Sequence, residues 1–121
     1  QSFKTASTGS IGDLKIDARA LVPDVFDLRQ NYPNPFTSST TIEYDVPETQ
    51  QIVLRIFNIR GQLVKTLVEE EQSAGYKSVT WDGTNNNGDP VSAGIYFCQM
   101  YTPANPYGGQ FVRTKKMLRL R

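Results

Sequence analysis

The sequence predicts an all-β, two-sheet sandwich, and three observations carry that prediction. Apolar and polar residues alternate with a period of two in several short runs, the pattern of strands with one buried face. Turn formers, nine Gly and seven Pro among 121 residues, separate those runs at sandwich-like spacing. No stretch combines a 3.6-residue apolar period with helix caps. The length suits one domain, and six Phe, six Tyr and one Trp supply large side chains for its core.

Residues 1–10 are small and polar and read as a tail. Residues 13–22 then alternate, with Leu14, Ile16, Ala18, Ala20 and Val22 on one face and Asp13, Lys15, Asp17 and Arg19 on the other. That is a half-buried strand, and Pro23 ends it because proline cannot donate to a ladder. The prolines of residues 31–35 force an extended, turning path. Ile42, Tyr44 and Val46 form the next inward row, stopped by Pro47, and Ile52, Leu54 and Ile56 form another, with Arg55 facing out. Residues 58–62 read as a hairpin turn in which Gly61 supplies the left-handed conformation. Residues 63–67 return from it, Glu69, Glu70 and Glu71 make a solvated acidic connection, and Ala74-Gly75 is a further turn. A strand from Tyr76 points Val79 and Trp81 inward. Residues 82–90 are a long turn, residues 94–101 a strand with Tyr96, Cys98 and Met100 on one face, and residues 111–120 the closing strand.

Composition narrows function by subtraction. The chain has no His, which removes His-based acid–base catalysis, His-activated nucleophiles and His-containing metal sites. Its single cysteine, Cys98, excludes an internal disulfide and a thiolate zinc cluster, and its place in a strand predicts core packing. No apolar run approaches the roughly 18 residues of a membrane-spanning helix. The Asp- and Asn-rich residues 82–89 fail the EF-hand calcium register. Aligning Gly88 with that motif's glycine puts Gly83 at the first ligand position and Gly94 at the bidentate Glu. No enzyme, metal or cofactor is expected. A sugar-stacking platform of Tyr32, Trp81, Tyr101 and Tyr107 is weakened because Trp81 reads as core.

The net charge is +1, from thirteen Lys and Arg against twelve Asp and Glu. Its distribution says more. Every carboxylate lies at or before Asp89, and Arg113, Lys115, Lys116, Arg119 and Arg121 follow with none among them. A basic terminal strand serves as a recognition tag, as the partner of an acidic neighbour, or as a charged edge that resists aggregation. Nucleic-acid binding is not expected, since only Phe111 accompanies the basic patch and no matching fold motif is present.

The residues Asn31-Tyr32-Pro33-Asn34-Pro35-Phe36 and Ser39-Thr40-Thr41-Ile42 resemble the opening of the C-terminal sorting domain of the type IX secretion system. Asn58-Ile59-Arg60-Gly61 with Leu63-Val64, residues 76–82, Gly94-Ile95-Tyr96-Phe97 and Thr114-Lys115-Lys116-Met117 are similar to its later motifs. Trp81-Asp82-Gly83, Asn87-Gly88 and Gly94-Ile95-Tyr96 also resemble the Ig-like domain of the flagellar hook-capping protein. The resemblance implies an Ig-like two-sheet β-sandwich at residues 28–121, and residues 1–27 before it are read from their own pattern as a tail and an additional N-terminal strand. It further implies a secreted, non-enzymatic module on the surface of a Gram-negative bacterium, read by outer-membrane secretion machinery and used to sort and anchor a cargo. Gly94, Tyr96, Lys115 and Lys116 fall on the motif positions nearest the sorting signal.

A second reading comes from the segment that the resemblance leaves unexplained. Leu14, Ile16, Ala18, Ala20 and Val22 suit strand addition to the sheet edge of a neighbour, which would make the chain a self-assembling filament or surface-structure subunit and a homo-oligomer.

Overall fold

The computed structural model describes residues 22–103 and 110–121. Seven strands follow in chain order: β1 (Asp27–Leu28), β2 (Thr40–Val46), β3 (Gln50–Asn58), β4 (Leu63–Gln72), β5 (Gly75–Trp81), β6 (Gly94–Thr102) and β7 (Phe111–Arg119). They form two antiparallel sheets, one of order β1-β2-β5 and one of order β4-β3-β6-β7. There is no helix among the described residues. This is an Ig-like sandwich, with hairpins at β3–β4 and β6–β7, β1 and β2 paired within one sheet, and crossings between sheets at β2–β3, β4–β5 and β5–β6.

Each inward row is the one that alternation predicts. Ile42, Tyr44 and Val46 of β2, Ile52, Leu54 and Ile56 of β3, Trp81 of β5, and Tyr96, Cys98 and Met100 of β6 are all buried. A one-residue slip would have turned each row to solvent. Val79 is half-buried and packs against this cluster. Trp81 is fully buried between Phe36 and Tyr96, with ring centroids 5.5 and 5.3 Å away and both pairs near edge-to-face. Its indole N–H donates to the Thr84 carbonyl at 2.9 Å, which meets the indole's need for a partner when buried. Trp81 therefore belongs to the core and to no sugar platform.

The stretch from Phe26 to Phe36 closes one side of the sandwich. Arg29 N–H donates to the Glu43 carbonyl and Tyr32 exchanges both backbone bonds with Thr41, so the chain first follows β2. It then crosses to the other sheet, where Phe36 bridges β7 in parallel through bonds to Leu118 and Leu120. Asn31 secures the crossing, donating to Thr40 Oγ1 at 2.9 Å while the Thr40 hydroxyl donates to the Pro33 carbonyl at 2.8 Å. The crossing explains two core residues that no periodicity marks, Leu28 and Phe36. Each enters the core from a different sheet margin, so they share no strand.

The acidic connection expected at residues 69–71 is instead strand. Glu69, Glu70 and Glu71 pair with Val53, Ile52 and Gln51 at the end of β4. Three successive glutamates are tolerated there because β4 is an edge and their side chains stay in water. The turn at residues 58–62 forms as expected, with Gly61 at φ 81° and Asn58 Oδ1 accepting from the N–H groups of Arg60 and Gln62. Of the amphipathic segment, Leu14, Ile16, Ala18 and Ala20 lie outside the described residues. Val22 is half-buried and in no strand.

Candidate functional site

The closing strand β7 and its partner β6 bring the four sorting candidates onto one hairpin. Register places Gly94 opposite Arg119, Tyr96 opposite Met117, Phe97 opposite Lys116 and Cys98 opposite Lys115. Directly opposite residues share a face, so Lys115 lies on the core side of the sheet and Lys116 on the outer side. Lys116 is exposed and Lys115 half-buried. Tyr96 sits in the core, its ring against Trp81 and its hydroxyl donating to the Ser92 carbonyl at 2.7 Å. The structure thus separates the four: Lys116 is exposed, Gly94 and Lys115 are half-buried, and Tyr96 belongs to the core.

The remaining cations of β7 are engaged. Arg113 forms an ion pair with Asp27 at 3.1 Å and lies over the Phe111 ring at 5.5 Å. Arg119 donates to the Val91 carbonyl at 2.7 Å and packs against Gly83. Neither Lys115 nor Lys116 has a carboxylate within ion-pair distance among the described residues. At the far end of β7 the edge is capped. Gln30 Nε2 donates to the Lys116 carbonyl at 2.8 Å, Leu118 N–H donates to Asn34 Oδ1 at 3.0 Å, and Phe36 holds Leu118 and Leu120. The Asn34-Pro35-Phe36 motif therefore locks the basic strand in place, a role that sequence alone does not announce.

Beside the hairpin, Asn58, Ile59, Arg60 and Gln62 face Ser92 to Tyr96 across a shallow depression of about 410 Å³. Its walls offer peptide groups and one cation, Arg60. No nucleophile paired with a base and no pair of carboxylates lines it. The 82–90 loop spends its oxygens on itself. Asp82 Oδ1 accepts from the Thr84 hydroxyl and N–H, which holds its carboxyl below the usual carboxylate range. Asn85 Oδ1 accepts from the N–H groups of Asn87 and Asp89, and Asn86 Oδ1 from Thr66 N–H. No group of three or more Cys, Asp or Glu side chains that could hold a metal ion occurs among the described residues. Cys98 is buried, and desolvation pushes its thiol up to about 12. A thiol of that kind is inert at neutral pH.

Residues 34–105, more than half of the chain, match the family described as the FlgD Ig-like domain. The chain belongs to that family. Its motifs Trp81-Asp82-Gly83 and Gly94-Ile95-Tyr96 are the turn and strand that flank the Trp81–Tyr96 contact. Among solved structures, FlgD from Xanthomonas campestris, described there in connection with hook capping in flagellar assembly, is 24% identical with a TM-score of 0.53. The match covers 80% of this chain and 66% of that one, so the domain spans about two thirds of that structure at most. FlgD from P. aeruginosa is 16% identical with a TM-score of 0.55, covering 78% of this chain and 75% of that one. PorZ of Porphyromonas gingivalis, an essential surface component of its type IX secretion system, is 19% identical with a TM-score of 0.49, covering 81% of this chain and 12% of that one. No curated protein sequence matches the chain.

Proposed function

We propose that this FlgD-type Ig-like domain is a non-catalytic sorting and surface-anchoring module, read by outer-membrane secretion machinery as it leaves a Gram-negative cell. The observation that carries the reading is the placement of Lys115 and Lys116. They stand on an edge strand, free of carboxylate partners among the described residues, and that strand is fixed just beyond them, at Leu118 and Leu120, by the same Asn34 and Phe36 that open the sorting-domain motif. A translocon that recognises cargo by its domain rather than by its sequence needs such a feature, accessible and rigid together. Residues 28–121 form the module in this reading, with residues 1–27 as the tail that leads into it.

The test fuses the full chain behind a reporter in a bacterium that carries the machinery and compares it with Lys115→Ala/Lys116→Ala. Lys116 is a surface site, where substitutions usually change stability by no more than ~0.5 kcal/mol. Because Lys115 is half-buried, a melting curve establishes that the double variant folds. The expected outcome is a folded double variant whose reporter stays behind the outer membrane. Normal surface delivery by that variant overturns the tag role. A self-assembling subunit joined through Leu14, Ile16, Ala18, Ala20 and Val22 is the second reading, and the alternation of residues 13–22 is what favours it.

A further inference from the structure

The two margins of the four-stranded sheet carry opposite charge. Glu69, Glu70 and Glu71 lie at the end of edge strand β4, with only Arg55, at 3.6 Å from Glu69, as a nearby ion-pair partner among the described residues. The opposite edge, β7, presents Lys115 and Lys116, with no acidic residue anywhere in the strand. We propose that a second copy of this chain docks β7 along the acidic half of β4, extending the sheet from one molecule to the next. The proposal does not rest on the sorting reading.

Backbone geometry supports the pairing. Leu118 and Leu120 turn their peptide groups away from β6 toward Phe36, so by alternation Val112, Thr114 and Lys116 point theirs to the same edge. Val112 and Thr114 bond to nothing on that side among the described residues. On β4, Asn86 occupies the edge groups of Val64 and Thr66. The ladder opposite Ile52 and Leu54 then leaves Glu69 and Glu71 facing outward. Each edge is therefore capped over part of its length and leaves a few peptide groups open, those of Glu69 and Glu71 on β4 and, beside Phe26 and Asp27, those of Val112 and Thr114 on β7.

Direction fits as well. All pairings in the sheet are antiparallel, so β4 and β7 run opposite ways. A neighbour placed in the same orientation brings its β7 antiparallel to β4. One register sets Glu69 opposite Lys116 and Glu70 opposite Lys115, two cross-strand pairs of opposite sign. In it the Lys116 carbonyl exchanges the exposed Gln30 side chain for a backbone donor of the neighbour. The same charges oppose β4 against β4 and β7 against β7, which forbids the symmetric dimers. The remaining contact is head-to-tail and need not close, so it builds linear assemblies.

Sedimentation velocity of the full chain, over a range of concentrations at about 20 mM and about 500 mM salt, tests this. The wild type should associate at low salt and dissociate at high salt. Glu69→Lys/Glu70→Lys/Glu71→Lys and Lys115→Glu/Lys116→Glu should each stay monomeric, with an apparent Kd at least about tenfold weaker. An equimolar mixture of the two variants should associate again, because each then presents the edge that the other lacks. Melting curves establish that the variants fold, and Glu70→Lys alone serves if the triple reversal does not. A wild type that stays monomeric throughout, a reversed variant that associates like the wild type, or a mixture that stays monomeric overturns the proposal. Association lost in Leu14→Asp/Ile16→Asp but kept in both charge variants also overturns it, in favour of the N-terminal strand.

Discussion

The two sheets obey one rule on their inner faces and differ outside, where one is almost wholly polar and the other mixes apolar and polar residues. Outside the three-stranded sheet stand Asp27, Thr41, Glu43, Asp45, Tyr76, Ser78 and Thr80, with the Arg29 guanidinium forked over the Asp45 carboxylate at 2.7 and 3.3 Å. Asp45 keeps only 7% exposure, a burial that its charge tolerates because Arg29 pairs with it. Outside the four-stranded sheet, Val53, Phe57, Leu63, Ile95, Phe97, Tyr101, Val112 and Leu118 stand among polar residues that include Arg55, Glu69, Gln99, Thr114 and Lys116. Leu63, Ile95, Val112 and Leu118 each expose 37% or more. Folding needs an apolar inner face from both sheets and asks nothing of the outer ones. The exposed apolar residues of that outer face are therefore where this domain differs from a generic sandwich.

What the sheets share is broken most severely at Trp81, which belongs to the three-stranded sheet and rests on Tyr96 of the other. Trp81→Ala should cost ~3–5 kcal/mol, the usual range for emptying a large aromatic site. Urea denaturation measures it. A loss below ~1 kcal/mol would mean that the two layers do not depend on this contact.

The inner layer was legible in the sequence and the outer arrangement was not. Alternation exposes a buried face locally, so Ile42, Leu54 or Cys98 can be assigned without knowing any neighbour. Leu28 and Phe36 escaped because the chain changes sheets between them. Glu69, Glu70 and Glu71 were read as a connection because their charge outweighed the demand of β3 for a long partner. Adjacency already implied that Lys115 and Lys116 face opposite ways. That β7 lies at an edge, or that β4 lies at the other, depends on strand order, and no single strand records that order.

A smaller break separates the sheets at one joint, where Gly83, just past β5, receives the Arg119 side chain of β7. A Cβ at Gly83 would lie 2.5 Å from Arg119 Nε, and the residue sits at φ 75°. Gly88 has a similar φ of 85° with nothing within 4 Å of its added Cβ. Gly88→Ala should lose only the conformational term, ~1–2 kcal/mol, and Gly83→Ala should lose more. Equal losses would remove Arg119 from the account of how the sheets are joined.

On the inner face of the four-stranded sheet, Cys98 makes stability depend on pH. Burial raises its folded pKa from the ordinary 9.0 to about 12, so the native thiol keeps a proton that the unfolded chain releases. The unfolded state then binds fewer protons, and stability falls as pH rises above 9 toward 12, by roughly 1.4 kcal/mol per unit at full effect. Tyr44, from the inner face of the other sheet, is also raised by burial. Cys98→Ala should be less stable than wild type at pH 8 and should close part of that gap by pH 10, as urea midpoints would record. Parallel pH profiles would mean that Cys98 is hydrated in the folded state.

The smallest expected effect bears most directly on the difference between the outer faces. Val112→Thr/Leu118→Thr makes the four-stranded sheet resemble its partner, and Thr41→Val/Thr80→Val does the reverse on an existing cross-strand pair. All four residues are exposed and the new side chains, Thr and Val, are β-branched and suit a strand, so each pair should shift stability by no more than ~0.5 kcal/mol. Binding of a hydrophobic dye to the folded domain should fall in the first variant and rise in the second. A loss above ~2 kcal/mol in Val112→Thr/Leu118→Thr would be a core-sized penalty, and would mean that another part of the molecule covers this face. The contrast would then lie between two covered layers, one polar and one apolar. A small loss with weaker dye binding would leave the apolar face as surface that folding does not use.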